Sequence, residues 1–173
     1  MAFVASSNLI TNDDTSPRTL NDVGLIGGRV RCAKGYVTLP TTALDTNTDT
    51  WGLASLPTNA RIEGIWLKNT DLDTNATETL ELDVGVYSTT GTAKAAAVYF
   101  DGSVNGAAAF EDANLSWVDV FYRAADAASS RLWQDAGDTT DPGGFYTIGV
   151  LVKIVAATPA QGTVEFKIHY TID

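Results

Sequence analysis

Beyond residue 28, apolar and polar positions alternate with a period of two along much of the chain, most cleanly near the C-terminus. Over residues 145–155, Tyr146, Ile148, Val150, Val152 and Ile154 alternate with Thr147, Gly149, Leu151, Lys153 and Val155. Over residues 163–172, Val164, Phe166, Ile168, Tyr170 and Ile172 alternate with Thr163, Glu165, Lys167, His169 and Thr171. A period of two is the signature of a strand with one buried face, because successive side chains point to opposite sides of a sheet. Between these runs lies Ala156-Ala-Thr-Pro-Ala-Gln-Gly162, which carries Pro and Gly and can reverse the chain. The two runs are expected to pair as an antiparallel hairpin.

Leu80-Glu-Leu-Asp-Val-Gly-Val-Tyr87 alternates as strictly, with Leu80, Leu82, Val84 and Val86 on one side and Glu81, Asp83 and Tyr87 outward. In Ala60-Arg-Ile-Glu-Gly-Ile-Trp-Leu-Lys-Asn69, strict alternation puts Ile62, Gly64 and Trp66 on one face and Ile65 and Leu67 on the other. A strand or strand pair is expected around Val30, Cys32 and Tyr36-Val-Thr-Leu39, ended by Pro40. Shorter strand candidates are residues 95–100, 107–110 and 117–122, and residues 124–129 suit one helical turn. The Thr-, Asp- and Asn-rich residues 41–59 read as a long loop carrying Trp51 and Leu53, and residues 69–79 as a polar turn. Nowhere does an i, i+3, i+4, i+7 apolar pattern last three turns. About seven to nine short strands without a long helix predict an all-β fold, an antiparallel β-sandwich of jelly-roll form.

Residues 1–28 keep neither period. Small apolar clusters (Phe3-Val4, Leu9-Ile10, Leu25-Ile26) flank a polar, turn-rich stretch. They predict an extended N-terminal arm over 1–28 and one β-sandwich domain over 29–173. The N-terminus lacks the basic n-region of a signal peptide, so synthesis in a cytoplasm is expected.

Composition narrows the function. Hydrophobic residues make up 45% of the 173 residues and charged residues 18%, which is globular composition. The 11 Lys and Arg stand against 21 Asp and Glu, for a formal net charge of −10. A phosphate backbone repels such a surface, so nucleic acid is not expected as a partner. No apolar run reaches the roughly 18–20 residues of a membrane-spanning helix, and no membrane partner is expected. Cys32 is the one cysteine, which excludes an intrachain disulfide and a Cys-based zinc site; it reads as a small buried hydrophobe.

Catalytic chemistry finds little footing. His169 is the one histidine, on the polar face of its strand, and no Gly-x-Ser-x-Gly elbow exists. Glu63, Glu81, Asp83 and Glu165 lie on strands, but alternation turns Glu81 and Asp83 outward, so the paired carboxylates of a glycosidase are not expected. Two acidic loops offer oxygen ligands. Asp71-Leu-Asp-Thr-Asn-Ala-Thr-Glu78 places Asp71 and Asp73 at the alternate spacing of a calcium loop, but Ala76 stands where an EF-hand needs Gly. Asp135, Asp138 and Asp141 form the second. Both read more simply as turns capped by their own side chains, so no metal, cofactor or catalytic residue is assigned. Trp51, Trp66, Trp117 and Trp133 are expected to fill the core or a subunit interface.

Three stretches carry a resemblance: Leu56-Pro-Thr-Asn-Ala-Arg-Ile-Glu-Gly-Ile-Trp-Leu67, Leu80-Glu-Leu-Asp-Val-Gly-Val-Tyr87, and Trp133 followed by Asp141-Pro-Gly-Gly-Phe-Tyr146. Across residues 56–172 the chain resembles the head decoration, or cement, proteins of tailed bacteriophages. The resemblance lies in strand and turn chemistry, not in a site. It implies a non-enzymatic virion protein on the capsid surface, made in the host cytoplasm, a homo-oligomer expected to be a trimer, whose partner is the major capsid protein. Phe3, Val4, Leu9 and Ile10 are then expected as arm anchors on the capsid or a neighbouring subunit. The alternatives are another phage head or tail component and a carbohydrate- or receptor-binding sandwich.

Overall fold

The computed structural model describes residues 5–6, 30–44, 49–77, 79–101, 114–122 and 130–172, and there the chain forms nine strands, one α-helical turn and one 3-10 turn at Thr41–Ala43. The strands are β1 (Ala5–Ser6), β2 (Arg31–Leu39), β3 (Thr50–Pro57), β4 (Ala60–Asn69), β5 (Glu81–Tyr87), β6 (Ala93–Phe100), β7 (Asn114–Tyr122), β8 (Phe145–Ile154) and β9 (Gly162–Ile172). The helical turn, α1, spans Leu132–Asp135. One sheet runs in the order β1-β3-β8-β5-β6 and the other β2-β9-β4-β7. From β2 onward every pairing is antiparallel, and the chain changes sheet at every connection except β5 to β6. That order is a jelly roll, the expected form of sandwich. The two-residue β1 joins the β3 edge in parallel.

The core lies between the sheets. Trp51, Leu82, Val84, Val86, Ile148, Val150 and Val152 meet Val37, Leu39, Ile62, Ile65, Leu67, Val164, Phe166 and Ile168. Burying these side chains, at about 1.5–3 kcal/mol each, is what holds the layers together.

The hairpin expected between the last two runs does not form. β8 pairs with β3 and β5, and β9 pairs with β2 and β4, in the opposite layer. Each run buries one apolar face, as its alternation requires. The two faces meet across the core instead of lying side by side. Period-two patterning fixes which face is buried but not in which sheet.

Two further expectations give way. Residues 50–57 are not loop but β3, with Trp51, Leu53 and Leu56 buried. A bulge between Gly52 and Ala54 breaks the alternation and hides the strand beside its Thr-rich neighbours. In β4, a bulge between Ile62 and Gly64 adds one residue, so Ile62 joins Ile65 and Leu67 in the core, with Trp66 on the outer face. The helical turn expected over 124–129, the strand expected over 107–110 and most of the arm lie outside the described residues.

Candidate interaction surface

The outer faces of the two sheets differ. On the five-stranded sheet, Gly52, Gly149 and Gly85 stand in one row across β3, β8 and β5. The row is tightly covered: a Cβ on Gly149 would lie 2.9 Å from the Tyr87 ring, and one on Gly85 only 2.1 Å from the Ala95 carbonyl oxygen. Tyr87 is fully buried there, and burial first, then the Asp83 charge, push its hydroxyl well above the ordinary tyrosine range. Asp83 points outward by alternation yet is buried, with Lys153 3.8 Å away; Lys153 also reaches Asp101 at 2.5 Å.

The outer face of β2-β9-β4-β7 is open and polar-aromatic. Its central rows follow from register: Cys32, His169 and Gly64; then Lys34, Lys167, Trp66 and Asp119; then Tyr36, Glu165 and Lys68. Trp66 lies over Gly64, where a Cβ would come within 2.5 Å of its indole, and meets the His169 ring at 4.6 Å with a 57° tilt. Lys167 faces Lys34 across the strand pair, a repulsive placement, and its ammonium sits 3.8 Å from the Trp117 ring centre. Lys68 pairs with Glu165 at 3.3 Å. Tyr36 is 54% exposed and Trp117 36%. Three of the five lysines in the sequence, Lys34, Lys68 and Lys167, thus share the central rows of this face with Asp119 and Glu165.

Placement corrects the reading of Cys32 as buried and divides the four Trp residues between core and outer face. Cys32 is exposed, because Ala33, Val37 and Leu39 take the inward positions of β2. Of the four Trp residues, Trp51 is core and Trp133 packs against it, whereas Trp66 and Trp117 belong to this outer face. Their exposure depends on the β4 bulge and on which layer β7 joins, neither of which alternation reveals.

The acidic loops do structural work at opposite ends of the sandwich. Asp71 accepts from the Asp73 N–H at 3.1 Å, Asp73 from Asn75 at 3.3 Å, and Asn75 from Thr77 at 2.9 Å. The alternate spacing that resembles a calcium loop is the spacing of three successive side-chain-capped turns. Asp73 is fully buried and goes further. Its two oxygens also accept the N–H groups of Thr79 (2.9 Å), Ala157 (2.8 Å) and Thr158 (2.8 Å). Burial pushes this carboxyl up, but the four N–H donors outweigh it and hold it below the ordinary aspartate range.

At the other end, Asp135 accepts from Tyr99 (2.9 Å) and Ser130 (2.5 Å). Asp138 accepts from Tyr146 and from Lys94 at 3.1 Å; these two, in that order, hold its carboxyl low. Asp141 is held low by the Thr58 hydroxyl and then by the Gly143 N–H. These bonds join α1 and the loop after it to β6, β8 and the turn between β3 and β4. The five acids therefore do not converge, and among the described residues no three His, Cys, Asp or Glu are grouped to hold a metal ion. Phe3, Val4, Leu9 and Ile10 lie outside the described residues.

No protein-family model matches the chain, and no curated protein does. Solved structures do. The chain is similar to one in the cyanophage Pam1 capsid asymmetric unit, with 25% identity and a TM-score of 0.57 over 92% of this chain and 97% of that one. It shares its fold with a chain of the capsid of Ralstonia phage GP4, with 22% identity and a TM-score of 0.67 over 99% of both. Coverage is reciprocal in each case, so the likeness extends over most of both chains.

Proposed function

We propose that this chain is a structural protein of a bacteriophage virion that binds the outside of the capsid and stabilises contacts between major capsid subunits, without catalysis. The observation that carries this reading is the 25% identity, over 92% of this chain, to a chain of one phage capsid, alongside the fold shared with a chain of a second. The physics supports it. A protein bound across subunit junctions stabilises the assembled shell by mass action, and preference for the expanded shell makes it a lock on maturation. The acidic charge keeps the free subunit soluble before it docks. The arm over residues 1–28 adds contact by ordering on the shell, with Phe3, Val4, Leu9 and Ile10 as its anchors and Ala5–Ser6 tied to the β3 edge.

Co-sedimentation with phage heads assembled without this chain tests both parts. The full chain is expected to pellet with expanded heads, to saturate, and to bind unexpanded heads more weakly. Deletion of residues 1–20 is expected to lower occupancy about tenfold, a loss of about 1.4 kcal/mol, while the circular dichroism of the sandwich stays unchanged. A chain that ignores heads and binds glycans instead belongs to the carbohydrate-binding class, and unchanged occupancy after the deletion removes the anchors.

A further inference from the structure

We infer that the outer face of β2-β9-β4-β7 binds a glycan with isolated acidic sugars, laid across the strands between Tyr36 and Trp117. Register sets out the platform. Tyr36, Glu165 and Lys68 lie in one row, and Val118 pairs with Leu67, so Trp117 stands beside Lys68 at the β7 end. Three strand spacings separate the ends, about 14 Å, a span that a short oligosaccharide fills. The end rings, Tyr36 at 54% and Trp117 at 36% exposure, can stack on the apolar C–H faces of sugars. The floor between them is the Lys68–Glu165 pair at 3.3 Å, half-exposed, which offers sugar hydroxyls both a donor and an acceptor. This surface is ordered before binding: Lys68–Glu165 and Lys167–Trp117 hold the long side chains, and Trp66 rests over Gly64. Little side-chain entropy is then lost when a ligand docks.

The adjoining row sets the charge of the ligand. Lys34 and Lys167 face each other across β2 and β9, about 7 Å along the strands from the aromatic row. Neither has an ion pair among the described residues. Like charges placed opposite each other destabilise a sheet, and a carboxylate on the ligand relieves that repulsion. Lys167 also lies 3.8 Å from the Trp117 ring centre, so a sugar stacked at Trp117 has a cation beside it. The net charge of −10 repels a chain charged at every unit, as nucleic acid is. An isolated carboxylate feels mainly the lysines within a Debye length, about 8 Å. A protein partner fits less well. Stable protein contacts bury about 800 Å² a side around clustered anchors, whereas here the two exposed rings stand apart with an ion pair between them. On a virion such a site tethers the particle to a sugar coat; that consequence rests on the capsid reading, and the binding itself does not.

Nuclear magnetic resonance titration of the isotope-labelled full chain tests this. The probes are hyaluronan hexasaccharide, which alternates acidic and neutral rings, and the same oligosaccharide with its carboxyl groups reduced to alcohols. The acidic form is expected to bind with a Kd of about 0.1–1 mM and the reduced form about tenfold more weakly. The Trp117 indole N–H and the amides of Lys34, Tyr36 and Lys167 are expected to shift, and the buried Trp51 indole to stay. Trp117→Ala and Tyr36→Ala are each expected to weaken both forms about tenfold. Lys34→Gln/Lys167→Gln is expected to abolish the preference for the acidic form, and Lys34→Arg/Lys167→Arg to keep it. Thr89→Glu/Ala93→Glu, at exposed positions elsewhere, reaches the same net charge as the Gln pair and is expected to keep the preference. Circular dichroism verifies that each variant folds. No shift up to about 5 mM, shifts on another surface, equal affinity for the two forms, indifference to Trp117→Ala and Tyr36→Ala, or tighter binding of oligothymidylate or a poly-glutamate peptide overturns the inference. Heads carrying the chain are expected to retain labelled hexasaccharide. Heads that block it assign this face to the capsid, which overturns the inference and leaves the proposed function standing. A chain that binds the hexasaccharide and ignores heads does the reverse.

Discussion

Replacing Asp73 by Asn lowers the unfolding free energy by about 2–4 kcal/mol at pH 7, because an amide presents one acceptor oxygen where the carboxylate presents two. Each Asp73 oxygen takes two backbone N–H groups, so the substitution leaves two of Asn75, Thr79, Ala157 and Thr158 facing an NH2 group. The local damage is set by topology. Residues 70–80 carry the chain from β4 to β5, and residues 155–161 carry it from β8 to β9; both cross between the sheets. Asp73 joins these crossovers, alongside the Thr74 N–H to Thr158 O and Ala160 N–H to Leu72 O bonds. In a chain of this length the loss corresponds to a fall in Tm of roughly 5–15 °C.

The pH dependence has a definite sign. The folded Asp73 carboxyl is held below its ordinary value, so its contribution is complete above the unfolded-state pKa of about 3.9 and disappears as pH falls through the lower folded value. The gap between wild type and Asp73→Asn should hold from pH 7 to about pH 5 and narrow below about pH 4. Other depressed carboxyls, Asp138 and Asp141, are present in both proteins and drop out of the difference. Urea unfolding at pH 7, 5 and 3 measures it. A gap under about 1 kcal/mol at pH 7, or one that widens in acid, contradicts the role given to Asp73.

Gly85→Ala carries the second large effect, roughly 3 kcal/mol or more of destabilisation. The cause is space, since the Gly85 φ is not among the positive values seen at Gly91, Gly137, Gly143 and Gly144. β5 advances two residues, Val84 to Val86, while β6 moves from Phe100 to Ala95, and the surplus backbone bulges over Gly85. The added Cβ would meet Ala95 O at 2.1 Å and the Ala96 carbonyl carbon at 2.3 Å, main-chain atoms with no rotamer to change. Moving them also shifts Tyr99, whose ring packs on Phe121 at 4.8 Å and whose hydroxyl donates to Asp135. Gly137→Ala is the contrasting control: its φ is +82° and nothing lies within 4 Å, so it should cost only about 1–2 kcal/mol. Thermal unfolding of the two variants separates the causes; if Gly85→Ala is the milder, the bulge does not cross where described.

The acidic loops show how far local chemistry can be read. Oxygen-bearing side chains at 71, 73, 75 and 77 mark a turn by themselves, because each can accept the N–H two residues on. Their reading as a chain of capped turns needs no tertiary information. That Asp73 also receives Ala157 and Thr158, from 84 and 85 residues away, has no local trace. The outer face of β2-β9-β4-β7 divides similarly. Alternation puts Glu165, Lys167 and His169 outside, and along β2 it puts Cys32 on the same side as Lys34 and Tyr36, but Trp66 reaches that side through a bulge and Trp117 joins it through strand order.

By itself, the sequence determined the class of the molecule: strands rather than helices, one apolar face on each, two layers to cover those faces, and acidic turns between them. Those properties follow from periods of two and from residue chemistry acting over a few neighbours. Only the tertiary structure decided that β8 and β9 face each other across the core, that residues 50–57 are a strand, and that aromatic rings and lysines gather on one open face. Strand order and bulge position are settled by packing among segments far apart in the chain, where competing arrangements bury the same residues and differ only in which neighbours they meet.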